Sequence, residues 1–205
     1  MSSIGIKYAG GTPAFHKKEG IKMKEEKVTT MVKGNIITFG IYEWLVLEVQ
    51  NDRALLLNKY VICEKPYHEK RTDITWEKCS LRAFLNEEFY SSFNASDKAR
   101  IIEVTNENVK YRYEIQNKEE DTKDLIFLLS IDDVLKYLSE NLQLAKRLSH
   151  SKRYINRQQC QANWWTRSID YDDNYARVMY NLLDMATNYP VDCVIGVRPA
   201  LWLKL

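Results

Sequence analysis

Little in this chain marks it as fibrous, membrane-spanning or metal-stapled. Its 205 residues include only seven Gly and four Pro, which excludes collagen-like and low-complexity classes. No uninterrupted apolar run approaches the roughly 18 residues of a membrane-spanning helix. Residues 1–20 carry Lys without an apolar stretch behind it, so they do not read as a secretory signal, and a cytoplasmic location is the expectation. The four cysteines, Cys63, Cys79, Cys160 and Cys193, form no C-x-x-C and no zinc spacing with histidine, so reduced, buried thiols are expected. His16, His68 and His150 lie far apart in sequence. The Gly-rich phosphate loop, G-x-S-x-G and H-E-x-x-H are missing, and no pair of carboxylates is singled out by spacing. The sequence holds no positive sign of catalysis.

What is present is a globular composition. Hydrophobic residues make up 45% of the chain, which excludes global disorder. A chain of this length suits one domain and buries roughly 70% of its unfolded surface without disulfides or metal. Thirty Lys and Arg against 28 Asp and Glu leave a net charge of +2, which argues for no class of partner at the whole-chain level. The charges cluster, however. Residues 7–33 hold seven Lys and three Glu, and residues 146–157 hold Lys146, Arg147, Lys152, Arg153 and Arg157 with no acid. Residues 103–124 and 170–184 are acidic. The basic stretches raise nucleic acid as one alternative partner; solvated faces are the other reading.

Residues 1–34 read as a Lys-rich extension and 35–205 as one domain. From Ile36 to Val49 the chain is β-branched and aromatic, predicting one or two strands. A turn at Asn51-Asp52 then returns Arg53–Leu57 as a hairpin arm, apolar enough to sit centrally in a sheet. Thr75 and Ser80 are candidate N-caps for a helix carrying Leu81, Phe84, Leu85, Phe89 and Phe93. Ser130-Ile131-Asp132-Asp133 has the shape of a capping box, and Leu142–Arg147 reads as a basic helix. Short strands are expected at Trp164–Ser168, Tyr175–Tyr180, Cys193–Val197 and Leu201–Leu205. Strands at both ends with helices between them describe an α+β domain.

Two C-terminal segments, Asn163-Trp164-Trp165-Thr166-Arg167-Ser168 and Gly196-Val197-Arg198-Pro199-Ala200-Leu201-Trp202-Leu203, are more distinctive. With Phe39–Leu47, Thr75–Asn86 and Phe127-Leu128-Leu129-Ser130, they resemble an uncharacterised domain family of Gram-positive bacteria and their phages, over about residues 34–205. That family is distantly similar to the C-type-lectin-like fold of formylglycine-generating enzymes and of variable proteins from diversity-generating retroelements. The resemblance implies a C-type-lectin-like domain of mixed or antiparallel short strands with two or three helices. It does not carry the enzyme's chemistry, because Cys160 and Cys193 lie 33 residues apart and do not match its close cysteine pair.

On this reading Trp44, Trp76, Trp164, Arg198 and Trp202 are structural. Trp164, Trp165 and Trp202 carry enough area to form most of one core. Arg167 and Arg198 lie in apolar strands, where a buried guanidinium requires carboxylate or carbonyl partners. Arg167 is also a candidate ligand contact, together with Trp165, Tyr171, Asn174, Tyr175 and Arg177, since Tyr, Asn and Arg build adaptable recognition surfaces. In the retroelement proteins this part of the fold faces the ligand. Calcium is the one cofactor the sequence raises, through Asp170, Asp172 and Asp173, although the segment lacks the Gly and terminal Glu of an EF-hand loop; a solvated acidic turn is the alternative. The leading expectation is a non-catalytic domain that binds a protein or glycan through residues 165–190, with no membrane contact. A diverged relative of the formylglycine-generating enzymes, with a deep pocket near Arg167, is the rival.

Overall fold

A computed structural model describes residues 31–112, 115–139, 141–149, 163–170, 172–180 and 184–205. In chain order the strands are β1 (Ile36–Phe39), β2 (Tyr42–Gln50), β3 (Arg53–Asn58), β4 (Cys63–Lys65), β5 (Ile101–Ile102), β6 (Val104–Asn106), β7 (Val109–Arg112), β8 (Ile115–Lys118), β9 (Thr122–Asp124), β10 (Trp164–Ile169), β11 (Tyr175–Tyr180), β12 (Asp184–Pro190), β13 (Ile195–Val197) and β14 (Ala200–Lys204). The helices are α1 (Ser80–Phe84), α2 (Ala95–Lys98), α3 (Ile131–Val134) and α4 (Leu142–Ser149). α1 and α3 each run on into a π-helical turn, at Leu85–Phe89 and Leu135–Ser139.

The domain is α+β, built on two five-stranded sheets. The first has the order β1-β2-β3-β14-β5 and is antiparallel throughout. The second has the order β12-β11-β10-β13-β4, in which only β10 and β13 run parallel. The β2–β3 hairpin forms as the sequence predicts, with β2 and β3 both interior to their sheet. A bulge at Leu47, where Val46 faces Leu56 and Glu48 faces Leu55, accompanies four consecutive buried residues, Trp44–Leu47. Residues 126–129 thread between the sheets. Phe127 bridges to Ala200 of β14, Leu129 accepts from the Arg167 amide of β10, and all four side chains are buried.

Ser80 is not the cap of α1 but its first residue. Cys79 caps it instead, its Sγ accepting from the Arg82 amide at 3.4 Å. The Ser80 amide donates to His68 Nδ1 and the Leu81 amide to the Tyr67 carbonyl, each at 3.2 Å, so the preceding loop satisfies the exposed end of the helix. Thr75 accepts only a turn bond, from the Lys78 amide. Ser130 and Asp133 do form a full capping box.

Residues 104–124, to which the sequence reading assigned no element, form the small β6–β9 and β7–β8 ladders. The inward positions of β6 and β9 are Asn106, Thr122 and Asp124, polar and buried, so the strands lack the apolar alternation by which a sequence announces them. Trp202 is likewise not part of the deep core: it is half-buried, with the Arg53 guanidinium 4.6 Å from its ring centre.

Candidate functional site

The two distinctive C-terminal segments meet in space. Trp164 pairs with Gly196 across the parallel β10–β13 contact. A Cβ on Gly196 would lie 2.4 Å from the Asn163 carbonyl oxygen and 2.9 Å from Val61 Cγ1, so this crossing admits only glycine. Trp164 and Trp165 are both buried. Trp165 meets Tyr67 edge-on at 5.6 Å and donates from Nε1 to the Lys65 carbonyl at 2.9 Å.

Each arginine of these segments points inward and serves a different junction. Arg167 Nη1 donates to Asp133 Oδ2 at 2.5 Å and to the Leu128 carbonyl at 3.0 Å, tying β10 to the capping box of α3. Burial alone would raise the Asp133 carboxyl; the Arg167 charge and the bonds from Ser130 hold it below its ordinary value. Arg198 is 1% exposed and lies over the Trp164 ring at 5.6 Å. Its Nη1 donates to the Asn58 carbonyl at 3.0 Å and the Lys59 carbonyl at 2.6 Å. Asn58 ends β3 and Arg198 follows β13, so one guanidinium clamps two of the places where the chain crosses between sheets, β3 to β4 and β13 to β14. The Asn58 amide returns a bond to the Pro199 carbonyl at 2.8 Å.

A second polar centre, absent from the sequence reading, lies beside this one. Asp124 is fully buried and accepts four bonds: Arg82 Nε at 2.5 Å on one oxygen, and Thr122 Oγ1 at 2.7 Å, Asn106 Nδ2 at 2.8 Å and Trp76 Nε1 at 3.1 Å on the other. Asn86, on the π-helical turn after α1, accepts from the Leu125 and Ile126 amides and donates to the Ile126 carbonyl. The segment Thr75–Asn86, singled out in the sequence, supplies Trp76, Arg82 and Asn86 to this centre. An open groove of about 570 Å³ lies at Thr75, Glu77, Lys78, Glu119, Glu120 and Asp121; Arg167 does not line it.

The surface candidates gather on the turn between β10 and β11. The Tyr175 amide donates to the Asp172 carbonyl at 2.8 Å, and the Asp170 amide to the Tyr175 carbonyl at 2.9 Å. Asp170 is buried below the turn, its carboxylate held by Arg177 Nη2 at 2.6 Å and by Asn188 Nδ2. The Asn174 carbonyl accepts from the Val191 amide, and the Asp173 carbonyl from the Ile74 amide, which brings the 66–76 loop alongside. From that loop Arg71 donates to the Tyr175 hydroxyl at 2.6 Å, with its guanidinium 5.1 Å from the ring centre. Tyr175, Arg177, Asn174 and Asp173 are half-buried, whereas Asp172 and Arg71 are exposed. Tyr171 lies outside the described residues. The structure therefore brings Asn174, Tyr175 and Arg177 together at the surface and places Trp165 and Arg167 in the interior.

Both oxygens of Asp170, the innermost acid of the calcium candidates, are engaged by protein donors. Among the described residues no group of three or more His, Cys, Asp or Glu side chains is placed to hold a metal ion. Burial pushes the Cys63 thiol up to about 11 and the Cys79 thiol to about 12, so both are protonated at neutral pH. Cys160 and most of the basic 146–157 stretch fall outside the described residues, as does the extension up to residue 30. From the described part of that stretch, Arg147 Nη1 donates to the Gly34 carbonyl at 2.8 Å. No helix among the described residues is long and apolar enough to cross a membrane.

The fold and site thus define a two-sheet α+β domain whose distinctive residues are its interior clamps. The chain belongs to the family described as Domain of unknown function (DUF6273), whose model matches residues 51–205. No curated protein and no solved structure matches it.

Proposed function

We propose that this domain is a non-catalytic recognition module of C-type-lectin-like type, acting in the cytoplasm and engaging a protein partner through the β10–β11 turn and the 66–76 loop. The observation that carries this reading is the Arg71–Tyr175 pair. A guanidinium laid against an aromatic ring, half-exposed at the surface, offers contact area and hydrogen bonding with little conformational entropy left to lose. The ring stands on a turn braced from below by Asp170, Arg177 and Asn188. A surface held this way is preorganised, which favours binding over the flexible alternative. The meeting of the Trp164 and Gly196 segments in one parallel pair supports the lectin-like comparison.

The test is capture of cross-linked partners from a bacterial lysate by wild type, Tyr175→Ala and Arg71→Ala, with melting temperatures measured in parallel. The reading requires a protein that wild type retains and both variants lose while their melting temperatures stay within about 1 °C. Equal retention by all three would overturn it. Retention abolished by glycosidase treatment of the lysate would transfer the surface to a glycan ligand.

A further inference from the structure

Arg198 is the largest charged side chain in the deep core, and its charge has no counter-ion. Among the described residues no carboxylate lies within ion-pair distance of it; its contacts are two backbone carbonyls and the Trp164 face. Its Nε is buried without an acceptor. Asn58, equally buried at 1% exposure and in direct contact through its own carbonyl, leaves its Nδ2 without an acceptor too. The Asn58 side chain is not turned the wrong way round, because its Oδ1 accepts from the Tyr60 amide at 3.0 Å. The corner therefore holds an uncompensated positive charge and two groups of the same kind, both donors. Burying a lone ion is among the most unfavourable things a fold can do, and an orphaned donor adds to it. Burial accordingly pulls the Arg198 guanidinium down to about 9.

We propose that a monovalent anion of halide size binds at this corner, between the Arg198 guanidinium and the Asn58 carboxamide. An anion supplies the missing acceptor for both donors and the missing charge at once. A water molecule would satisfy the donors only. The site lies where β3 leaves the first sheet and β13 enters it as β14, so a bound anion fastens the two crossovers together.

The experiment uses bromide as the probe. Crystals of the full chain grown in sodium bromide are measured at the bromine absorption edge, with melting temperatures recorded at constant ionic strength in chloride and in acetate. The proposal expects an anomalous peak within contact distance of Arg198 and Asn58. It also expects a melting temperature about 2–4 °C higher in 0.3 M chloride than in acetate. Asn58→Asp provides the decisive control, since it keeps the acceptor for the Tyr60 amide and places a carboxylate beside the guanidinium. This variant should fold, show no bromide peak and lose the chloride response. Ordered density without anomalous signal at the corner means water, and overturns the proposal. So does a chloride response that survives unchanged in Asn58→Asp.

Discussion

Gly196 packs against the carbonyl of Asn163 so closely that no side chain fits between them. The contact seats β13 beside β10 and lets Trp164 close over Arg198. Gly196→Ala must therefore move backbone, because the nearest atom is a carbonyl oxygen and cannot swing aside. The expected loss is about 2–3 kcal/mol of stability, read as a lower urea midpoint with an unchanged slope. A variant as stable as wild type would show that the β10–β13 pairing is looser than described.

Asp124 gathers Trp76, Arg82, Asn106 and Thr122 around one buried carboxylate. Asp124→Asn keeps the shape but puts an amide donor among four donors and leaves Arg82 without its charge partner. We expect a loss of about 3–5 kcal/mol. Since the centre ties the β6–β9 ladder to α1, amide exchange in residues 104–106 and 122–124 should quicken more than in β2 and β3.

The Asp133 carboxyl is held below its ordinary value by Arg167 and by Ser130. Because its value in the folded state is the lower one, the unfolded chain binds the extra proton in acid. The stabilisation is fully present above the ordinary aspartate value of about 4 and is lost as pH falls through the lower, folded-state value. Asp133→Asn should therefore be less stable than wild type at pH 7 by about 1–3 kcal/mol, with the gap narrowing below about pH 4. Denaturant titrations at pH 7, 4 and 3 would check this; a gap independent of pH would assign the loss to packing alone.

How far the sequence could be read depended on what each segment buries. β2, β3, β10, β11 and the Ser130 capping box announce themselves because they bury hydrocarbon or use an established cap chemistry. The β6–β9 ladder escaped because it buries Asn106, Thr122 and Asp124, whose partners come from residues up to 48 positions away. The Cys79 cap escaped for a related reason: a thiol is an uncommon cap, and His68 and Tyr67 complete it only after folding. At the surface, residue type alone marked Tyr175 and Arg177 as a group. It could not show that Arg177 is committed to a buried carboxylate while Tyr175 is committed to a loop on its exposed side.

That difference separates two variants that sequence alone would treat as equivalent. Arg177 Nη2 lies 2.6 Å from Asp170 Oδ1, and the Asp170 side chain is only 8% exposed. Arg177→Ala strands that carboxylate with Asn188 as its remaining side-chain partner. A buried charge deprived of its counter-ion is strongly destabilising, so the melting temperature should fall by several degrees. Tyr175→Ala and Arg71→Ala remove a pair that straddles the surface, where the measured change should stay near the scatter of surface substitutions, about 0.5 kcal/mol. Restoring neutrality should rescue the first variant in part: Arg177→Ala combined with Asp170→Asn is expected to be more stable than Arg177→Ala alone, a non-additivity that a double-mutant cycle measures directly. If the double variant is instead the sum of the two singles, the Asp170–Arg177 pair does not brace the turn. The preorganisation on which the recognition reading rests would then have to come from the backbone bonds of the turn alone.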